Sequence, residues 1–272
     1  LLLKIIFLIS PDLRKKKGKF MVRLGGGSFV LGYFISIILL IINYQFRQDI
    51  GLEINLISIL LFGSLCFFII GFIDDLFNIS PFTRLVLQAI ISFFIWNLGF
   101  KIIPPDINFF NTFLSNEVFF NILSFLITSF WIMGVINSIN WLDGLDGLAA
   151  GCSIIFSLAF ILIGIKQNDL LLIGLTIPLI GGLLAFLKYN LYPSRIFMGD
   201  GGSYFLGYNM SIISILAANS SNINFSLDKV NFSSFFLAIV ILAVPLFDMT
   251  KVIFYRIFNG KSPFYPDRNH FH

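Results

Sequence analysis

The sequence predicts an all-α, polytopic transmembrane helical bundle, and three observations carry that prediction. Hydrophobic residues make up 57% of the 272 and charged residues only 12%, about half the charged share of a soluble domain. Apolar runs of roughly 17–20 residues, long enough to cross a hydrocarbon core, recur along the whole length. Phenylalanine alone contributes 35 residues, and a soluble fold with so much apolar surface would need a far more polar exterior.

About nine membrane segments are expected, all within one integral membrane domain over residues 1–272. The opening run LLLKIIFLIS is too short to span and lacks the small-residue pattern of a cleaved signal. It reads as the tail of a helix that starts earlier, a partial first segment at 1–10. Segment 28–45 follows a basic loop, and 56–73 ends at the acid pair Asp74 and Asp75. Segment 83–101 runs from beside Arg84 to Lys101, and 119–137 ends at Asn137. Segments 147–165 and 170–187 flank the short connection at Lys166. Segment 203–219 follows Asp200 and two glycines, and 232–250 continues into a short amphipathic helix at 251–258. The abrupt stop at HFH makes the chain read as a fragment at both ends.

Nine crossings divide the loops into two sets. Loops 11–27, 74–82, 138–146, 188–202 and 251–272, with Arg84, hold 13 Lys and Arg, whereas the other set holds four: Arg47, Lys101, Lys166 and Lys229. Basic residues accumulate on the cytoplasmic side, so the first set is expected to face the cytoplasm. Arg14, Lys15, Lys16, Lys17, Lys19 and Arg23 crowd its first loop. A nucleic-acid patch is the weaker reading of this cluster, and no nucleic-acid partner is expected. An anchor on the anionic leaflet of the lipid bilayer, or a site for a phosphorylated ligand, fits better. Cys66 and Cys152 lack metal-ligand spacing and read as small buried hydrophobes.

The same division sorts the chemistry. Asp74, Asp75, Asn137, Asn140, Asp143, Asp146, Asn190, Asp200, His270 and His272 all fall on the basic side. Asp49, Glu53, Asp106, Glu117 and Asp228, on the other, form no compact pattern and read as solvated loop residues. Adjacent carboxylates such as Asp74 and Asp75 repel unless a cation or proton stands between them. At a helix C-terminus they also oppose the helix dipole. A hard divalent ion suits such oxygens, and Mg2+ is commonly held by one or two carboxylates plus substrate phosphates. In NSINWLDGLDGLAAG, Asn137, Asn140, Asp143 and Asp146 stand three apart, which aligns them on one helical face. Asp146 could also cap the following helix. In RIFMGDGGS, Asp200 precedes glycines that could offer bare N–H groups to a phosphate. The tail KSPFYPDRNHFH carries both histidines, and with Arg268 and Lys261 they could contact a diphosphate; zinc ligation is the lesser reading.

GFIDD, NSINWLDGLDGLAAG, NLYPSRIFMGDGGS and DRNHFH, in this order and between membrane spans, resemble the motifs of the polyprenyl-phosphate N-acetylhexosamine-1-phosphate transferases. That group includes bacterial phospho-N-acetylmuramoyl-pentapeptide transferase. PDLRKKKGKFMVRLGGGSF resembles the family's first cytoplasmic loop. The resemblance implies transfer of a sugar 1-phosphate from a UDP-sugar donor to undecaprenyl phosphate, with release of UMP. It implies Asp200 as a ligand of the cofactor Mg2+, with Mn2+ as a substitute and Asp143 as the second candidate ligand. Asp74 and Asp75 would sit near the lipid phosphate, one acting as base, and Phe197 would stack on uracil. Asn140, Asp143 and Asp146 would line the nucleotide pocket, Asn190 would shape it, and His270, His272 and Arg268 would lie near the diphosphate.

Lys16 and Lys17 stand where many members have a histidine, and either lysine can still meet phosphate. Members usually continue past the position of His272 with another histidine and a final transmembrane helix. Leu142 before Asp143 and the DRNHFH ending favour the N-acetylhexosamine branch, UDP-GlcNAc first, over the muramoyl-pentapeptide branch. The implied setting is the bacterial plasma membrane with a cytoplasmic active site, serving cell-envelope polysaccharide synthesis, and a homodimer is a further expectation. An ion-coupled transporter, the non-enzyme rival, would place its polar groups at mid-span in broken helices. A membrane scaffold would not need clustered polar motifs on one face.

Overall fold

The computed structural model describes residues 25–43, 54–102, 117–219 and 232–260. No strand forms among them. The helices in chain order are α1 (Gly25–Ile42), α2 (Ile54–Phe77), α3 (Pro81–Asn97), α4 (Glu117–Leu142), α5 (Leu148–Gln167), α6 (Leu170–Asn190), α7 (Gly199–Asn219), α8 (Phe232–Ile241) and α9 (Ala243–Phe258). Five of them, α1, α2, α4, α5 and α6, are long and apolar enough to cross a membrane, and α8 with α9 makes a sixth if the bent pair is one span. The chain is therefore a multi-pass membrane protein. The partial segment expected at 1–10 lies outside the described residues.

α7 is the axle of the bundle. It packs on α1, α2, α4, α5, α6 and α8, and every residue from Gly201 to Ala218 is buried. A helix with no lipid-facing side need not be apolar all round, so α7 carries Ser203, Asn209, Ser211 and Ser214 at no solvation penalty once each is bonded. Asn209 donates to the Phe205 carbonyl at 2.8 Å and to the Ser64 hydroxyl at 3.0 Å. Ser211 donates to the Tyr208 carbonyl, and Trp131 of α4 donates to Ser214 at 3.0 Å. These polar positions explain why α7 is less apolar than its neighbours despite lying at the centre.

The single segment expected at 232–250, followed by a short helix, is corrected by the structure: the helix breaks at Leu242 and turns by 74°. Pro245 stands at the third position of the restarted helix, within its first turn, where its missing N–H breaks no intrahelical bond. Pro178, by contrast, sits inside α6 without ending it. The buried stripe of α9, Pro245, Asp248, Val252 and Arg256, recurs at helical spacing, and α9 packs on α4.

Two close approaches fix the start of α7. A Cβ added at Gly71 of α2 would collide with the carbonyl of Asp200 and would stand 2.6 Å from the backbone nitrogen of Gly201. One added at Gly26 of α1 would run into the Met198 carbonyl and stand 2.6 Å from the Cα of Gly202. Backbone thus lies against backbone on two sides, a contact only glycine permits. Replacing Gly71 with valine should push α7 off α2 and lower stability by about 1–3 kcal/mol, the range for overpacking a tight site. Thermal unfolding in detergent would check it, and an unchanged melting temperature would refute the contact.

Candidate active site

At one end of the bundle the helices overrun their apolar stretches. α2 continues to Phe77, α4 to Leu142 and α6 to Asn190, while α7 begins at Gly199. The added turns carry Asp74 and Asp75, Asn140, Asn190 and Asp200. A helix does not stop where hydrophobicity stops, provided the polar side chains on the added turn find partners.

Each of them does. Asp74 accepts a hydrogen bond from Arg84 Nη1 at 2.8 Å, an ion pair in which Asp74 is 4% exposed. The pair exists because α2 and α3 are joined by a short reversal. Asn78 takes a positive φ of 48°, as asparagine tolerates. Ser80 then caps α3, accepting from the Thr83 N–H at 3.1 Å, with Pro81 opening the helix. That places Arg84 in the first turn of α3, facing back toward the end of α2. Asp75 accepts from the Gly201 N–H at 3.0 Å, so one of the N–H groups expected to stand bare for a phosphate is already taken. An acid at a helix N-terminus also complements the dipole there.

Asn140 donates to Asp200 Oδ1 at 2.7 Å and to the Ser203 hydroxyl at 2.9 Å. Asn137, three residues earlier, turns instead to α3 and donates to Gln88 Oε1 at 2.8 Å. The expected single face of four residues is thus corrected. α4 ends at Leu142, and Asp143 and Asp146 lie in the turn that follows, not on the helix. Asp146 does not cap the next helix, because the residue at the α5 N-cap is Gly147, in the left-handed region at φ 79°. The Asp146 carboxylate accepts from the N–H and hydroxyl of Ser194, at 3.1 and 2.9 Å. Asn190 ties the same two loops together: its Oδ1 accepts from the Gly147 N–H at 2.9 Å and its Nδ2 donates to the Ile196 carbonyl at 2.9 Å. Phe197, half-buried, stands three residues before Asp200 in the irregular approach to α7.

Burial pushes the Asp143 carboxyl well above the usual carboxylate range, and the nearby charges of Asp200, Asp75 and Asp146 push it further the same way. Asp200 in turn lies within interaction range of Asp75 and Asp74. Asp74, Asp75, Asp143 and Asp200 thus crowd one junction, and Arg84 pairs with it through Asp74. Among the described residues no three acidic, histidine or cysteine side chains group so as to hold a metal ion by themselves. A hard divalent ion held there would have to take its remaining oxygens from water or substrate.

The sequence reading missed Arg84 as a site residue, counting it only as a positive charge at a helix end. It also missed Ser194, Ser203 and Tyr204. Tyr204 is wholly buried one turn beyond Asp200. Arg256 of α9 lies 4% exposed with its guanidinium 5.0 Å from the ring of Trp141, next to Asn140. Lys16, Lys17, Arg268, His270 and His272, also expected here, lie outside the described residues.

A membrane bundle of this kind, with an acidic polar junction at one end, defines a class of membrane-embedded enzyme, and sequence comparison identifies the family. Residues 57–218 match the profile of Glycosyl transferase family 4. The chain is 33% identical over 271 residues to the probable undecaprenyl-phosphate N-acetylglucosaminyl 1-phosphate transferase of Bacillus subtilis, covering 99% of this chain and 70% of that one. It is 36% identical over 263 residues to the phospho-N-acetylmuramoyl-pentapeptide-transferase of Prochlorococcus marinus (strain CCMP1986), covering 91% and 68%. The protein belongs to Glycosyl transferase family 4 and is a transferase.

The upward push on Asp143 has a consequence for stability. An acid whose folded pKa lies above its unfolded value binds more protons folded than unfolded, so stability falls as pH rises from about 4, the ordinary aspartate value, toward the folded value. In chelator, Asp143→Asn should therefore melt progressively higher than the parent as pH is raised from 4 to 7. Parallel melting curves across that range would show that Asp143 carries no such penalty.

Proposed function

We propose that this protein transfers N-acetylhexosamine 1-phosphate, GlcNAc 1-phosphate first, from a UDP-sugar to undecaprenyl phosphate at the cytoplasmic face of the bacterial plasma membrane, releasing UMP. The observation that carries this reading is the meeting of Asp74, Asp75, Asn140 and Asp200 at one end of a membrane bundle. The near full-length match to a relative named for N-acetylglucosaminyl 1-phosphate transfer supports it. The match to a phospho-N-acetylmuramoyl-pentapeptide-transferase supports the second reading, a muramoyl-pentapeptide donor. On this proposal α3, α7 and the α8–α9 pair cross as well as the five longer helices, and the 13-to-4 distribution of Lys and Arg supports a cytoplasmic acidic end.

A lipid phosphate oxygen attacks the β-phosphorus of the donor directly; a deprotonated phosphate needs only modest base help. Asp74, at the end of α2 beside Arg84, would take the last acceptor proton. Arg84, paired with Asp74, offers its remaining N–H groups to the acceptor phosphate. Asn140 orients Asp200 from below, and the Asp146–Ser194 and Asn190 bonds hold the loop that presents Phe197 to the uracil. Lys16 or Lys17, with Arg268, His270 and His272, would meet the phosphate groups of the two substrates. Asp200, with Asp143, would hold Mg2+ or Mn2+, and a bound ion supplies neutralisation of two anions brought together.

Purified protein given UDP-GlcNAc, undecaprenyl phosphate and Mg2+ should yield UMP and a lipid-linked GlcNAc diphosphate. UDP-N-acetylmuramoyl-pentapeptide in a parallel reaction separates the two donor readings. Asp200→Asn should lower turnover at least about a hundredfold, the scale of removing one group that meets developing charge. Near-normal turnover in that variant removes Asp200 from the centre of the reaction.

A further inference from the structure

Hydrogen bonds at the acidic junction close into a ring through four helices. Arg84 of α3 donates to Asp74 of α2 at 2.8 Å, and the Gly201 N–H of α7 donates to Asp75 of α2 at 3.0 Å. Asn140 of α4 donates to Asp200 of α7 at 2.7 Å. The remaining link joins α4 to α3: Asn137 Nδ2 donates to Gln88 Oε1 at 2.8 Å. Each helix lends two residues within about one turn of each other, Asp74 with Asp75, Arg84 with Gln88, Asn137 with Asn140 and Asp200 with Gly201. Every link but one carries an acid that has a role in the proposed reaction. The Gln88–Asn137 link carries none, and no step described above uses it.

Stability alone does not account for this pair. Gln88 is wholly buried, and its Nε2 has no hydrogen-bond partner among the described residues. An interhelical hydrogen bond in a membrane bundle contributes little, because separated helices also find partners. A buried donor left unmet costs more than one such bond contributes. Two apolar side chains of the same size would hold α3 on α4 at least as well. What they would lack is direction. Dispersion tolerates a small slide or roll of one helix on another, whereas a 2.8 Å bond between two amides does not. α3 packs on α2 and α4, and it carries Arg84 one turn from Gln88. Without the amide bridge the ring opens, and Arg84 is tied to the rest of the junction through Asp74 alone.

We propose that Gln88 and Asn137 are positioning residues for the transfer reaction: their amide bridge closes the ring and so fixes the acceptor-side pair, Asp74 and Arg84, at a set distance from Asn140 and Asp200. The inference rests on the roles given to those residues under the proposed function.

The test compares the parent with two double variants. Gln88→Met/Asn137→Leu replaces both amides by apolar groups of similar shape. Gln88→Asn/Asn137→Gln moves one methylene across the gap and keeps two amides facing. The apolar pair should melt at or above the parent temperature in detergent, because it removes the unmet donor. Its kcat should fall at least about tenfold, the scale on which a small misplacement of reacting groups is felt. Its KM for the UDP-sugar should not move, since each half of the site keeps its own contacts. The swapped pair should recover kcat to within about threefold of the parent. Parent-like kcat in the apolar pair overturns the proposal, and so does a swapped pair as slow as the apolar one. A loss of kcat that comes with a lower melting temperature makes the bridge a stability contact and overturns it too. A second readout needs no turnover. Phenylglyoxal modification of Arg84, followed by mass spectrometry, should be several-fold faster in the apolar pair and parent-like in the swapped pair, because an open ring lets α3 carry the guanidinium away from Asp74. Equal rates in all three proteins overturn the proposal. If the parent releases no UMP with any donor, the proposed reaction fails, and the labelling still decides whether the bridge places Arg84.

Discussion

The acceptance of the Gly201 N–H by Asp75 is the contact on which the rest of the site depends. It joins the last turn of α2 to the first turn of α7, and it does so where Gly71 lets the two backbones touch. Every other polar contact in the junction is referred to that placement. Asn140 reaches Asp200 only because α7 starts at this depth. Arg84 reaches Asp74 only because α2 ends at the same level. An orphan N–H at a helix start is normally left to water or a cap residue. Here the capping acid is drawn from a different helix, so capping and tertiary assembly are one event.

The same packing creates an electrostatic problem that defines the chemistry. Burial and like charge both disfavour ionised carboxylates, and Asp143 feels both. Arg84 opposes that charge at Asp74. In the proposed reaction a divalent ion at this junction would add positive charge and attract the anionic groups that such an ion prefers. The junction's location at the end of the bundle is equally physical. A polyprenyl phosphate carries its charge at the membrane surface and its chain in the hydrocarbon, so the two substrates of the proposed reaction can meet only at that level.

Much of this was legible in the chain, for reasons that differ residue by residue. Five helices were readable because their apolar runs match the membrane thickness, and the acids because charges at the ends of such runs are too few to be incidental. Asp74, Asp75, Asn140, Asp143, Asp146, Asn190 and Asp200 do come to one end. What each of them bonds was not readable. Asn137 and Asn140 share a spacing with Asp143 and Asp146, yet the helix ends at Leu142 and the four residues part company. A period of three predicts a face only while the helix lasts. Arg84 was hidden because its role arises from a chain reversal at Asn78–Ser80, which the sequence marks with turn residues but does not aim. The break at Leu242 is one that a hydropathy profile passes over, and proline alone does not mark it, since Pro178 sits inside α6 without ending it.

A polar layer deeper in the bundle, also passed over in the sequence reading, bears on how the junction keeps its register. Ser64 of α2 exchanges hydrogen bonds with Asn209 of α7, at 3.0 and 3.3 Å between Ser64 Oγ and the two amide atoms. Phe67 stacks on Tyr208 with centroids 5.0 Å apart. The pairs 64 with 209 and 71 with 200 run in opposite directions along the two helices, as an antiparallel contact requires. Ser64 and Asp75 are about 16 Å apart along α2 at 1.5 Å per residue. Two polar attachments at that separation resist what apolar packing tolerates, a slip of one turn that would bury a similar area. Such a slip would carry Asp75 about 5.4 Å away from Gly201 and leave Asn209 with unsatisfied amide groups inside the bundle. The mid-membrane amide is therefore a register device for a site it never touches. Polar residues at mid-span, which taken alone would suggest a transport path, here serve the acids one layer above.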